Sequence, residues 1–251
     1  VTLAFFALIT GVGGGSLMTP ILLLFGFPPN IAVGTDLLYA AITKSGGVLM
    51  HKRQGTIRWR IVLLLGMGSI PTSIITVLLL KEFYKNDTDY GPLLTTSLGI
   101  MLIVTSIVIL ARRHLISSST PQNGNILLTA IQANSGKITF IMGILLGVTV
   151  TLSSVGAGAF AAAILLVLYP RLPSINVVGT DLTHAVPLTL AAGLGHLALG
   201  NVDFRLLGAL LVGSLPAIYI GTKIGARLPD NILQPILVIA LLSLGIKYTF
   251  F

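Results

Sequence analysis

Long apolar runs alternate with short polar loops along the whole chain. A membrane-crossing helix needs about 20 apolar residues, and eight such segments can be drawn. Segment 1 covers about Val1–Phe25, carries a glycine cluster in its middle, and is followed by the turn Phe27-Pro28-Pro29-Asn30. Segment 2 covers about Ile31–Met50 and ends in the most basic loop, His51 to Arg60. Segment 3, about Ile61–Leu80, contains Pro71, which predicts a kink. A short loop of mixed charge, Lys81 to Tyr90, leads into segment 4, about Leu93–Ala111, which closes on Arg112-Arg113-His114. A polar stretch rich in Ser, Asn and Gly follows, from Leu115 to Gly136. Segment 5 is one apolar run from Ile138 to Tyr169, broken near Ser153-Ser154-Val155-Gly156. Segments 6, 7 and 8 cover about Ile175–Leu199, Leu206–Ile224 and Ile232–Ile246. The pattern predicts an all-α polytopic membrane protein with no soluble domain.

The segments fall into two groups of four. Displaced by 145 residues, Val33-Gly34-Thr35-Asp36-Leu37 lands on Val178-Gly179-Thr180-Asp181-Leu182 without a gap. In the same register Gly11 and Gly13 fall on Gly156 and Gly158, Pro28 on Pro173, His51 on His196, Gly55 on Gly200 and Arg60 on Arg205. Gly68-Ser69 falls on Gly213-Ser214 and Pro71 on Pro216. Apolar sequences share Leu and Val by chance, but not a Gly-Thr-Asp, a His and a Pro in one register, so the chain reads as an internal duplication. The expected boundaries are a first repeat over 1–114, a polar linker over 115–136 and a second repeat over 137–251.

Composition sharpens this. Hydrophobic residues make up 54% of the chain and charged residues 9%, against about 25% charged in a soluble domain. The net charge of +8 sits in a few short loops, a positive-inside signal of a multi-pass protein of the cell membrane and not a nucleic-acid face. There is no Cys, which excludes disulfides, thiolate metal sites and Cys nucleophiles. The four His are scattered, so no metal site and no cofactor is expected. The chain opens at Val1 inside an apolar run, without Met or a charged n-region. That reads as a segment missing a short N-terminal piece, with no cleavable signal peptide.

Two repeat orientations stay open. If segments 1 and 5 each cross once, the halves are parallel. If they are re-entrant hairpins folded at their glycines, the halves are inverted, and Arg171, Lys223 and Arg227 join Lys52, Arg53, Arg112 and Arg113 on one side. The positive-inside rule leans toward the hairpins.

Candidate chemistry sits in the paired positions. Gly13, Gly14, Gly15 and Ser16, together with Gly11, would cost a helix about 1 kcal/mol per glycine relative to Ala. A break there leaves free N–H groups and a positive dipole end, which suit an anion. Segment 5 repeats the device at Ser153, Ser154, Gly156 and Gly158. Matching broken helices in two repeats point to a transporter binding site, while close packing of small residues explains the glycines equally simply. Asp36 and Asp181, at membrane depth, read as proton-coupling carboxylates or as first-turn helix chemistry. Lys44, with counterpart Thr189, reads as an anion-attracting charge or as a snorkelling side chain. His184 shares a face with Asp181 and could relay protons or be structural. Thr35 and Thr180 are candidate hydroxyl donors to a substrate.

These residues resemble a known family. Gly11-x-Gly13-Gly14-Gly15 followed by Pro20, the stretch Ala32-Val-Gly-Thr-Asp-Leu37, the basic loop ending Ile57-Arg-Trp-Arg60, and the second copy Asn176–Leu182 with Asn201-Val-Asp-Phe-Arg205 resemble the TauE/SafE sulfite exporter family, also called toluene-sulfonate uptake permeases. The resemblance covers nearly the whole chain. It implies a secondary transporter, an exporter, of sulfite or small organosulfonates, the substrate being a small sulfur-containing anion. The second copy departs from the glycine pattern, with Ala159 and Phe160 at the positions of Gly14 and Gly15, and Leu165 at that of Pro20. No ATP-binding motif is visible, so an ion gradient, with protons first, would drive transport. The partners expected are the lipid bilayer and the anion, with no nucleic acid, and a homodimer is compatible with this reading. A passive anion channel is the alternative. An intramembrane hydrolase using Ser153 or Ser154 with His184 is disfavoured, because neither Ser sits in a Gly-x-Ser-x-Gly elbow.

Overall fold

A computed structural model describes residues 17–85, 90–118, 132, 134–213 and 230–250. Gly13, Gly14, Gly15 and Ser16, most of the stretch 115–136, and the end of segment 7 lie outside these residues. Among the described residues there are nine helices and no strand: α1 Met18–Leu24, α2 Pro29–Arg53, α3 Trp59–Lys85, α4 Gly91–Ser118, α5 Ser135–Ser153, α6 Ala159–Leu168, α7 Ser174–Ala198, α8 Phe204–Gly213 and α9 Asp230–Phe250.

The ends of α2 and α7 follow from the same local chemistry. Pro28 and Pro173 precede them with nearly identical backbone angles, φ −56° with ψ 141° and φ −56° with ψ 143°. These extended residues set the start of each helix. Each helix runs for 25 residues and stops where the chain turns through a left-handed glycine, Gly55 at φ 67° and Gly200 at φ 76°.

The helices are apolar outside and polar inside. On α3, Leu63, Met67, Ile74 and Leu78 are exposed while Ser69, Ser73 and Thr76 are buried. In water this would be an aggregation-prone surface; in lipid it is the stable arrangement. Four helices, within Trp59–Phe83, Gly91–Ala111, Ser135–Ser153 and Ser174–Ala198, are long and apolar enough to cross a bilayer. The polar side chains of α2 lower its hydropathy, yet it packs along α7 from end to end and so traverses the same depth.

Helix directions follow from which residues meet. Gly34 of α2 abuts Asn201 just beyond α7, Leu38 abuts Gly193, Gly47 abuts Leu182, and His51 abuts Gly179, so α2 and α7 are antiparallel. These pairs bracket a midpoint near Thr43 of α2 and Pro187 of α7. Helices α3 and α5 are parallel: Leu65 meets Gly143, Ser69 meets Gly147, and Thr151 donates to Ser73 at 2.7 Å. A Cβ on Gly147 would stand 2.5 Å from Ser69 O, and one on Gly68 2.5 Å from Phe140 O, so the two backbones touch through a small-residue seam. Helix α7 also runs parallel to α3, through Ser69–His184 and Val77–Gly195.

Because α5 and α7 point the same way, the chain must return between them. It does so through α6. Thr139, near the start of α5, hydrogen-bonds Tyr169, just past the end of α6, at 2.8 Å. Helices α5 and α6 therefore form a hairpin whose bend, 154–158, begins three residues after Thr151, the partner of Ser73 near the midpoint of α3.

Candidate functional site

The bend is built by residues that leave the right-handed helical region. Ser154 caps α5 in the left-handed conformation at φ 57°, and Gly156 and Gly158 follow at φ 121° and 147°. Only glycine adopts the latter two without strain. No side chain caps the start of α6, so its first N–H groups and the positive end of its dipole face the protein interior.

Lys44 reaches this bend. Its half-buried side chain donates from Nζ to Ala157 O at 3.0 Å, two residues before α6 begins. Lys44 also lies one residue from the α2/α7 midpoint, at the mid-depth of the protein. Its charge acts on Asp36, Asp181 and His184. The Ser154 hydroxyl adjoins the Asp36 carboxylate. Of the sequence-predicted residues, Asp36, Lys44, Ser154, Gly156 and Gly158 thus meet at the bend, and Asp181 and His184 lie within reach of the Lys44 charge.

The two paired carboxylates are held differently. Asp36, fully buried, accepts a hydrogen bond on Oδ2 from Thr19 of α1. The position equivalent to Thr19, 145 residues on, is Ile164, which has no hydroxyl to offer Asp181. Asp181 Oδ1 and His184 Nδ1 are buried without a hydrogen-bond partner. His184 uses its other nitrogen, with Nε2 2.8 Å from Ser69 Oγ. Ser153 Oγ is turned back onto its own helix, donating to Thr149 O at 2.6 Å, and neither it nor Ser154 pairs with His184. A Ser–His nucleophilic pair is therefore not assembled here.

Thr35 and Thr180 each accept a hydrogen bond from the opposite half of the chain. The Thr35 hydroxyl accepts from the backbone N–H of Asp203 at 3.1 Å. The Thr180 hydroxyl accepts from the N–H of Arg58 at 3.0 Å and donates to Asn176 O at 2.6 Å. Each stitches its helix to the loop that follows the other helix, and the Thr180 hydroxyl has no donor left. His196 is likewise structural: Nε2 pairs with Thr151 O at 3.0 Å and Nδ1 with Asn201 Nδ2 at 3.3 Å. Asn201 in turn donates to Tyr90 Oη at 2.7 Å and accepts from Asn30 at 2.9 Å.

Three participants were not singled out as site residues from the sequence. Thr19 and the Ala157 carbonyl carry no distinguishing pattern. Ser69 does, since it falls on Ser214 in the duplicated register, but its partner His184 is visible only in three dimensions.

Comparison with known proteins agrees with this architecture. The family model "Sulfite exporter TauE/SafE" matches residues 1–248. The chain is 35% identical over 239 residues to the Bacillus subtilis protein named Probable membrane transporter protein YjnA, covering 95% of this chain and 92% of that one. It is 29% identical over 225 residues to Probable membrane transporter protein YdhB of the same organism, covering 89% and 86%. A probable membrane transporter of Methanocaldococcus jannaschii is 25% identical over 240 residues, covering 88% and 80%. No solved structure matches. A full-length family match, on a chain whose helices are apolar outside and polar inside, identifies it as a multi-pass membrane transporter belonging to the sulfite exporter TauE/SafE family.

Proposed function

We propose that this protein is a secondary transporter that exports sulfite or a small organosulfonate, driven by a proton gradient. The observation that carries the proposal is the convergence of two positive features at mid-depth. The Lys44 ammonium donates to Ala157 O at 3.0 Å, beside the uncapped N-terminus of α6. An ammonium next to the positive end of a helix dipole, away from bulk water, favours a bound anion.

The same geometry supports an inverted duplication of eight segments. Helices α2 and α7 are 145 residues apart in sequence and antiparallel in space, and α5–α6 enters and leaves on one side. Parallel repeats would make equivalent helices run the same way. In this reading Gly13, Gly14, Gly15 and Ser16 are the first repeat's candidate anion-binding residues on sequence grounds. Alternating access then comes from one repeat bundle rocking against the other about the midpoint near Thr43 and Pro187.

Asp36, Asp181 and His184 are the proposed proton carriers. Asp181 and His184 share a helical face, and His184 continues to Ser69 at 2.8 Å. Labelled-sulfite counterflow in proteoliposomes tests the proposal. Saturable uptake, accelerated by unlabelled sulfite on the opposite side, is the expected result. Non-saturating flux without counterflow would instead make the protein a passive channel, and no flux of any sulfur anion would remove the substrate assignment.

A further inference from the structure

The unpartnered atoms around the bend are mostly acceptors. Asp181 Oδ1 can only accept while ionised, and His184 Nδ1 can do so. Both residues are more than nine-tenths buried, Asp181 at 4% exposure and His184 at 0%. A buried unpaired acceptor costs about 1–3 kcal/mol, more when charged. A simple anion brings further acceptors. It pairs with Lys44, leaves Asp181 Oδ1 unsatisfied, and adds negative charge beside it.

We propose that the transported ligand is zwitterionic: its sulfonate is held by Lys44 at the 154–158 bend, and an ammonium on the same molecule is received by Asp181. This rests on the anion-transport reading above and narrows it to aminoalkane sulfonates.

Two relationships single out Asp181. The first is its missing cap: Asp36 is held by Thr19, whereas the equivalent of Thr19 is Ile164, so the second carboxylate keeps an open oxygen. The second is proximity: the Lys44 charge acts on Asp181 as it does on Asp36. His184 Nδ1, three residues from Asp181 on the same face, is a second unpartnered acceptor. With Lys44 and both carboxylates ionised, the cluster has net charge of one sign, negative, and a neutral zwitterion adds nothing to it.

The test is the thermal stability of the purified full-length protein in detergent, titrated with taurine, ethanesulfonate, β-alanine and sulfite. Ligand that binds the folded state raises the melting temperature with the logarithm of its concentration above Kd. Taurine is expected to give the same rise at about tenfold lower concentration than ethanesulfonate, the gain of one charge-assisted hydrogen bond. Asp181→Asn is expected to erase that advantage, so that taurine stabilises the protein no better than ethanesulfonate at equal concentration. Asp181→Glu, which keeps the charge and shifts its position, covers the case in which Asp181→Asn does not fold, and is expected to shrink the advantage. Equal responses to taurine and ethanesulfonate in the parent, or a taurine preference that survives the Asp181 variants, overturns the ammonium site and leaves the anion reading standing. A response to β-alanine equal to that of taurine overturns the sulfonate half. No response to any of the four overturns both.

Discussion

Thr35 accepts a hydrogen bond from the backbone N–H of Asp203, 3.1 Å away across 168 residues of sequence. Displaced by 145 residues, the same bond recurs between Thr180 and the N–H of Arg58 at 3.0 Å. The Gly-Thr pairs are thus reciprocal clasps. The glycine lets the opposite loop approach, since a Cβ on Gly179 would stand 2.8 Å from His51 Nδ1 and 2.9 Å from Thr56 Oγ1. The threonine then accepts from an N–H of that loop. Thr35→Val and Thr180→Val each leave a half-buried N–H without its partner, and each should cost about 1–3 kcal/mol. The clasps lie at opposite ends of the helix pair, so the double variant should lose close to the sum. Chemical or thermal unfolding in detergent measures this, and a loss from only one of the two would break the reciprocity.

Antiparallel α2 and α7 fix which loops share a membrane face. Gln54, after α2, and Arg171, before α7, are both exposed and fall on one side, and exposed Arg205, after α7, falls on the other. The protein has no native Cys, so single Gln54→Cys, Arg171→Cys and Arg205→Cys variants report cleanly with a membrane-impermeant maleimide. In intact cells the first two should be protected, because Lys52, Arg53, Arg58 and Arg60 mark that face as cytoplasmic, and Arg205→Cys should label. Labelling of Gln54→Cys and Arg205→Cys from the same side would restore parallel repeats.

The α3/α5 seam should tolerate no side chain. Gly68→Ala and Gly147→Ala each drive a Cβ to 2.5 Å from a backbone oxygen of the other helix, and backbone cannot step aside as a side chain can. Both should lower the yield of folded protein sharply. Gly46→Ala, on an exposed face of α2 with nothing within 4 Å of its Cβ, should be neutral or gain up to about 1 kcal/mol from helix propensity. Equal behaviour of the three in size-exclusion profiles and melting would show the seam to be loosely packed.

Ser154 holds φ at 57°, a conformation that costs a residue with Cβ about 1–2 kcal/mol. Ser154→Gly should therefore raise the melting temperature, yet weaken ligand binding through loss of the hydroxyl beside Asp36. A variant more stable and unchanged in binding would remove Ser154 from the site.

Much of this architecture is legible in the sequence, for reasons that differ by element. Pro28, Pro173, Gly55 and Gly200 delimit α2 and α7 through local backbone rules, and local rules are written in local sequence. The bend at 154–158 is legible because Ser153-Ser154-Val155-Gly156 interrupts an otherwise apolar run. The role of Thr35 and Thr180 is not, because their partners, Asp203 and Arg58, lie in the opposite half of the chain. A hydroxyl in a helix looks the same whether it awaits a substrate or clasps a loop. Thr19 is hidden for the same reason: its importance comes from Asp36 alone, and the second repeat has Ile164 in its place. The antiparallel run of α2 and α7 follows from which of their residues meet, and hydropathy carries no such information.

The central claim is that Lys44, at the bend, holds the substrate's anionic group. Its most direct test is the melting temperature of the parent and of Lys44→Met, titrated with sulfite and with taurine. Methionine keeps the length and packing of the stem while removing the charge. The parent should show a concentration-dependent rise with at least one of the two ligands and Lys44→Met none, while the variant's unliganded stability stays close to that of the parent. A variant that retains the full ligand-dependent rise would contradict it, and would move the anion away from Lys44 and the 154–158 bend.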